Sequence, residues 1–208
     1  MKRNMFREPK VLLFLLNCPV FLAIIGLIHT KEARKPPPVS RNNKMKKLYL
    51  IGGTMGVGKT ATSQALKRKL NNAVFLDGDW CWDSDPFQVT AETKKMVIEN
   101  IRFLLNQFIH CPAYDNVIFC WVMHEQSIID SILGALDLSE CTVRCVSLVC
   151  TPEALTERLS SDIKNGIRSE DIIERSTRRI PLYEHIHSTK LDVSDITPLQ
   201  AAEIIAAM

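Results

Sequence analysis

Among its seven cysteines (Cys18, Cys81, Cys111, Cys120, Cys141, Cys145 and Cys150) the chain has no Cys-x-x-Cys pair. That absence argues against the clustered thiolates of a zinc site. Several of these cysteines lie in apolar runs, as buried reduced thiols of a cytosolic protein do. No internal repeat is visible, and nothing in the composition points to disorder or to several membrane spans: 46% of the residues are hydrophobic and 24% charged. Beyond residue 47 the chain also lacks a basic excess. Residues 1–47 hold 11 Lys/Arg against Glu8 and Glu32, a balance of +9, which leaves −6 for the remainder of a chain whose net charge is +3. An acidic main domain is a poor match for a polyphosphate backbone, so no nucleic-acid partner is expected. A kinase acting on nucleic-acid ends would need a basic channel.

One long apolar run is present, residues 11–28, whose 18 uncharged residues are at the lower limit for a bilayer core of about 30 Å. Asn17 and Pro19 interrupt it, and no small-x-small cleavage site follows Ile28. Basic residues flank it on both sides, which would hold a following domain on the cytoplasmic side. Membrane association is expected only through this segment. The competing reading is an extension upstream of a natural start at Met45, because Met45-Lys-Lys-Leu-Tyr-Leu-Ile-Gly-Gly reads as the opening of a small domain. Residues 35–43, KPPPVSRNN, read as an extended linker in either case. The expected organisation is therefore an N-terminal extension over 1–44 and one cytoplasmic domain over 45–208.

From Lys46 onward, short apolar runs alternate with amphipathic stretches, which predicts an α/β fold with a mostly parallel sheet. Strands are expected at 47–52, 73–77, 116–123, 142–150 and 190–194. Over 90–111 the residues Val97, Ile101, Leu104, Leu105 and Phe108 recur at helical spacing. Thr151-Pro152 and Thr197-Pro198 each set a capping hydroxyl before a proline, marking two helix starts.

The strongest signal is GGTMGVGKT, in which Gly53-x-x-x-x-Gly58-Lys59-Thr60 has the spacing of a phosphate-binding loop between a strand and a helix. Successive amides must turn inward around a phosphate, and glycines permit the backbone angles. The expected nucleotide site is thus Gly53, Thr54, Met55, Gly56, Val57, Gly58, Lys59, Thr60 and Ala61. Lys59 would bridge β- and γ-phosphates of ATP, and the Thr60 hydroxyl would ligate Mg²⁺. A second acidic group is expected nearby. The third apolar strand ends in His124-Glu125 without an aspartate, whereas the second ends in Asp77-Gly78-Asp79. That acidic pair would emerge at the carboxyl edge of the sheet, where ligands of such sheets gather. Asp77 would orient Mg²⁺ and Asp79 would accept the proton of an attacking hydroxyl, against the blander reading of two solvated turn residues.

The GGTMGVGKT loop, the FLDGDW segment and the order of elements resemble the small P-loop kinases that include shikimate kinase, gluconate kinase and chloramphenicol phosphotransferase. They are also similar to bacterial nucleotide-kinase-type proteins linked to tunicamycin resistance. The resemblance covers about residues 45–208. It implies a five-stranded parallel sheet in the order 2-3-1-4-5, a helical lid, and transfer of the γ-phosphoryl group of ATP to a hydroxyl of a small-molecule acceptor. It further implies that Arg158 packs near adenine and phosphates, that Arg168, Arg175 and Arg179 are lid arginines, and that adenine rests near Val193 to Thr197. For any one arginine a solvated helix face competes evenly. No acceptor-binding set belonging to shikimate, gluconate or a nucleoside is present. Trp80, Trp82, Trp121 and His124 are the residues expected to shape an acceptor pocket, with core packing the alternative for Trp121 and a helix cap that for His124. A nucleotide-binding protein that sequesters a ligand or switches a partner is the second reading.

Overall fold

The computed structural model describes residues 45–208, so the apolar segment 11–28 and the linker 35–43 lie outside the described residues. Strand β1 (Lys46–Gly52) is the centre of a five-stranded sheet in the order β2-β3-β1-β4-β5. Its neighbours are β3 (Asn116–Cys120) on one side and β4 (Cys141–Val149) on the other, both parallel to it. The edges are β2 (Ala73–Asp77) and β5 (Thr189–Asp192), also parallel. The order is the one the resemblance implies.

Alternation along β1 explains why both faces need a cover. Leu48 and Leu50 belong to one core and Tyr49 and Ile51 to the other, and all four are buried. The first core is closed by α2 (Ala91–His110), whose buried Val97, Ile101, Leu105 and Ile109 form a single stripe, and by α3 (Gln126–Leu133). Leu104 and Phe108 border that stripe half-buried. The second core is closed by α1 (Lys59–Lys69), α4 (Pro152–Lys164), the short α5 (Ile172–Thr177) and α6 (Pro198–Ala207). The two threonine-proline starts cap as expected: the Thr151 hydroxyl accepts from Ala154 N–H at 3.2 Å and that of Thr197 from Gln200 N–H at 3.3 Å.

The third strand ends three residues earlier than its apolar pattern predicts, at Cys120 rather than Met123. Its partners run out there: Cys120 pairs with Ile51 on β1 and Asp77 on β2, after which both neighbours turn away into loops. Trp121 to Met123 stay buried or half-buried as a loop, so their hydrophobicity reports burial rather than strand. Among the described residues no helix is long and apolar enough to cross a membrane.

Candidate active site

Strand β1 delivers the chain into the glycine loop at the carboxyl edge of the sheet, and α1 leaves it. Gly53, Gly56 and Gly58 have φ of 151°, 83° and 102°, angles that side chains with a Cβ rarely adopt. At Gly56 the need is doubled, because a Cβ there would come within 2.5 Å of the Leu159 side chain on α4. Gly58 is the N-cap of α1 and offers no side-chain cap, so the amides of Lys59, Thr60 and Ala61 have no intrahelical partner and point out of the helix end. Thr60 and Ala61 are exposed at the mouth.

Lys59 lies across the loop, its Nζ donating to the Thr54 carbonyl at 3.0 Å. Burial pushes its pKa down; Cys120, Asp79 and Asp77 oppose that shift, and the Arg168 charge adds to it. A cation held in this way is poised for an anion. The Thr54 hydroxyl turns the other way and donates to the Ser176 carbonyl at 2.8 Å, a buried bond between loop and α5.

The acidic pair stands beside Thr60. Asp77 is buried at the end of β2; its Oδ2 accepts from the Thr60 hydroxyl at 2.7 Å and from the Cys120 thiol at 3.4 Å, and its Oδ1 accepts from Asp79 N–H at 3.2 Å. Cys120 stays a thiol, since burial and the neighbouring Asp77 charge push it up to about 12. Cys81 is likewise pushed up to about 11 by burial and both aspartates, so neither cysteine is a nucleophile at neutral pH. The hydroxyl of Thr60 and the carboxylate of Asp77 are hard oxygen donors of the kind Mg²⁺ takes, usually with phosphate oxygens completing its shell. That composition fits a metal shared with a nucleotide rather than a resident one, and no group of three or more metal-binding side chains occurs among the described residues.

Asp79 is exposed on a 3-10 turn (Gly78–Cys81) and accepts from the Trp121 indole N–H at 2.9 Å. Trp121, expected as a wall of an acceptor pocket, is 9% exposed and lies against Gly78, where a Cβ would meet it at 2.5 Å. It therefore backs and orients Asp79. Trp80 and Trp82 do line a cavity of about 480 Å³ beside this turn. His124 is half-buried with Nε2 3.5 Å from Glu125 Oε1; burial and the Arg179 charge push its pKa down, so it is neutral at pH 7.

The arginines separate by contact. Arg158 donates to the carbonyls of Val57, at 3.4 Å, and of Val193 and Ser194, the latter at 3.0 Å. It is a clamp between the phosphate loop and the loop after β5, with its donors directed at backbone. Removing it leaves three carbonyls short of a partner, so Arg158→Ala is expected to lower the urea midpoint by an amount equivalent to about 1–3 kcal/mol. Arg179 reaches Met55 of the loop, at 4.0 Å from its sulfur. Arg168 pairs with Asp162 at 3.1 Å and stands near enough to Lys59 to act on its charge. Arg175 is half-exposed and pairs with Asp171 one turn earlier at 2.8 Å, an i,i+4 pair on a solvated face rather than a contact of the loop.

The family model of an AAA domain matches residues 50–180. The chain belongs to that family. No curated protein matches this AAA-domain chain in sequence. In structure it is similar to the tunicamycin resistance protein of Deinococcus radiodurans, with 17% identity, a TM-score of 0.58, and 78% of this chain and 94% of that one covered. It is similar also to a gluconokinase from Sinorhizobium meliloti (15%, 0.58, covering 79% and 93%) and to shikimate kinase from Acinetobacter baumannii in complex with shikimate (18%, 0.53, covering 79% and 92%). The AAA domain thus has the P-loop kinase fold.

Residues outside the expected set also build the site. Cys120, Ser176 and Tyr183 are buried around the loop and the acidic pair, Tyr183 within 3.7 Å of the position a Gly52 Cβ would take. Only strand order brings Cys120 beside Asp77, and that order is invisible in either segment alone.

Proposed function

We propose that this AAA-domain protein is a kinase that uses ATP and Mg²⁺ to phosphorylate a hydroxyl of a small molecule. The observation that carries the reading is the joining of three parts at one sheet edge: an amide cup around Lys59, the Thr60–Asp77 oxygen pair at 2.7 Å, and Asp79 held two residues beyond by Trp121. The amides at the start of α1 and the Lys59 ammonium bind and orient the triphosphate. Bound Mg²⁺ would neutralise phosphate charge, held through Thr60 and through Asp77. Asp79 orients the acceptor hydroxyl and takes its proton as that oxygen bonds to the γ-phosphorus and the bond to the β,γ-bridging oxygen breaks, releasing ADP. Arg168 and Arg179, the two arginines beside Lys59 and Met55, offset negative charge on the transferred group.

Incubation with ATP, Mg²⁺ and a panel of hydroxyl compounds is expected to give acceptor-dependent ADP release. Tight ATP binding with no release across the panel would instead support ligand sequestration or switching of a partner without phosphotransfer.

A further inference from the structure

The cavity beside the acidic pair has a chemistry of its own. Its walls are the Trp80 and Trp82 indoles, and Asp83, Asp85 and Gln88 bring polar side chains to it. At about 480 Å³ it is the size of a small-molecule site. Asp79 itself does not line it, but the wall residue Trp80 follows Asp79 directly in the chain, so an acceptor whose hydroxyl faces that carboxylate extends toward this cavity. Trp80 is 57% exposed and so presents indole surface, while Trp82 is braced by the ring of Phe87 at 4.9 Å and that of Trp121 at 5.8 Å. Gln88 and the carboxylates of Asp83 and Asp85 have no side-chain hydrogen bond or ion pair among the described residues, whereas Asn100, also at the cavity, is spent holding the Cys81 carbonyl at 2.9 Å.

Among the described residues no lysine, arginine or histidine lines this cavity. The basic residues of the helix that walls it, Lys94, Lys95, Arg102 and His110, do not line it, and Lys95 reaches Glu99 at 3.9 Å. Two uncompensated carboxylates with two indole faces repel an anionic acceptor and attract a cation, through charge and through the negative face of each ring. A carboxylate or phosphate-bearing acceptor would need a basic partner, which the described residues do not bring to this cavity.

We infer that the acceptor carries a protonated amine beside its reactive hydroxyl, as in an amino sugar or an aminocyclitol, with the amine seated between Asp83, Asp85 and the indoles. The inference rests on the kinase reading above. The amine takes no part in bond making; it keeps its proton and fixes which hydroxyl faces Asp79.

The test uses the full chain with ATP and Mg²⁺ and three matched groups of probes. Glucosamine and 2-deoxystreptamine are the cations, glucose and myo-inositol the neutral compounds, and gluconate and shikimate the anions. Quenching of tryptophan fluorescence reads binding and ADP release reads turnover. The amines are expected to give kcat/KM at least about tenfold above their neutral counterparts, with the anions below both. In the Asp83→Asn/Asp85→Asn double variant the ratio of amine to neutral compound is expected to fall to within about twofold. Equal or better use of a neutral or anionic probe, an unchanged ratio in the double variant, or no response to either amine would each overturn the assignment. Calorimetry of ATP with the unmodified protein separates the two failures. ATP binding with turnover of a neutral or anionic probe but not of the amines sinks the acceptor class alone, whereas ATP binding without release from any probe, or no ATP binding, removes the kinase reading with it.

Discussion

Replacing Lys59 with methionine is expected to raise the melting temperature of the ligand-free protein while abolishing its response to ATP. The ammonium is drawn out of water by the fold, and burial is the largest influence on its pKa. Methionine fills similar volume without a charge to desolvate, so about 0.5–2 kcal/mol of stability is expected, roughly 2–4 °C for each kcal/mol in a domain of this size. The lost hydrogen bond to the Thr54 carbonyl, 3.0 Å in the native loop, limits the gain. Because the folded-state pKa lies below the ordinary lysine value of 10.5, the unfolded chain holds this proton to higher pH. Native stability therefore rises with pH between those two pKa values, and the cost is present in full below the lower one. The advantage of methionine should accordingly be largest at neutral and acidic pH and fade as the pH approaches 10.5. Scanning calorimetry with and without MgATP checks both halves. A variant less stable than the parent at pH 7, or one that MgATP still stabilises to the same degree, would contradict this account of Lys59.

Asp79→Asn is expected to cut acceptor-dependent ADP release by about 100–1000-fold while leaving the ATP dissociation constant within about threefold. The amide is nearly isosteric, and its oxygen can still accept from Trp121, whose indole N–H lies 2.9 Å from Asp79 Oδ1. What is lost is the ability to take a proton. Asp77→Asn should behave differently, because Asp77 accepts from the Thr60 hydroxyl and its neutralisation weakens the Mg²⁺ contribution to nucleotide affinity. Single-turnover ADP release and calorimetric ATP titrations on both variants distinguish the roles. If Asp79→Asn turns over at near-native rate, the proton passes elsewhere and the acidic pair is structural.

Much of this arrangement is legible in the sequence, and where legibility stops has physical causes. The glycine loop is readable because its geometry leaves few chemical options: three backbone positions with positive φ and one close approach to Leu159 demand glycine. Five strands and the two threonine-proline caps follow from periodicity and capping chemistry, and the parallel order from the resemblance. Trp121 to Met123 mislead as strand because burial looks the same in a loop. Trp121 is ambiguous for another reason, since one indole can either face a ligand or back a carboxylate, and only the Gly78 contact decides between them. The arginines of residues 158–179 cannot be sorted from spacing alone. A guanidinium bound to backbone, one paired with an aspartate a turn away and one resting on a methionine look alike in a sequence.

The buried bond from the Thr54 hydroxyl to the Ser176 carbonyl has a mechanical consequence. Upstream, α4 is moored by Arg158 and by the packing of Leu159 over Gly56; downstream, α5 is moored by Ser176. Latitude in this part of the molecule is left to the exposed turn between them, residues 165–171, which carries Arg168. Closure over a nucleotide would then be the sweep of a tethered strap a few residues long rather than the swing of a hinged domain.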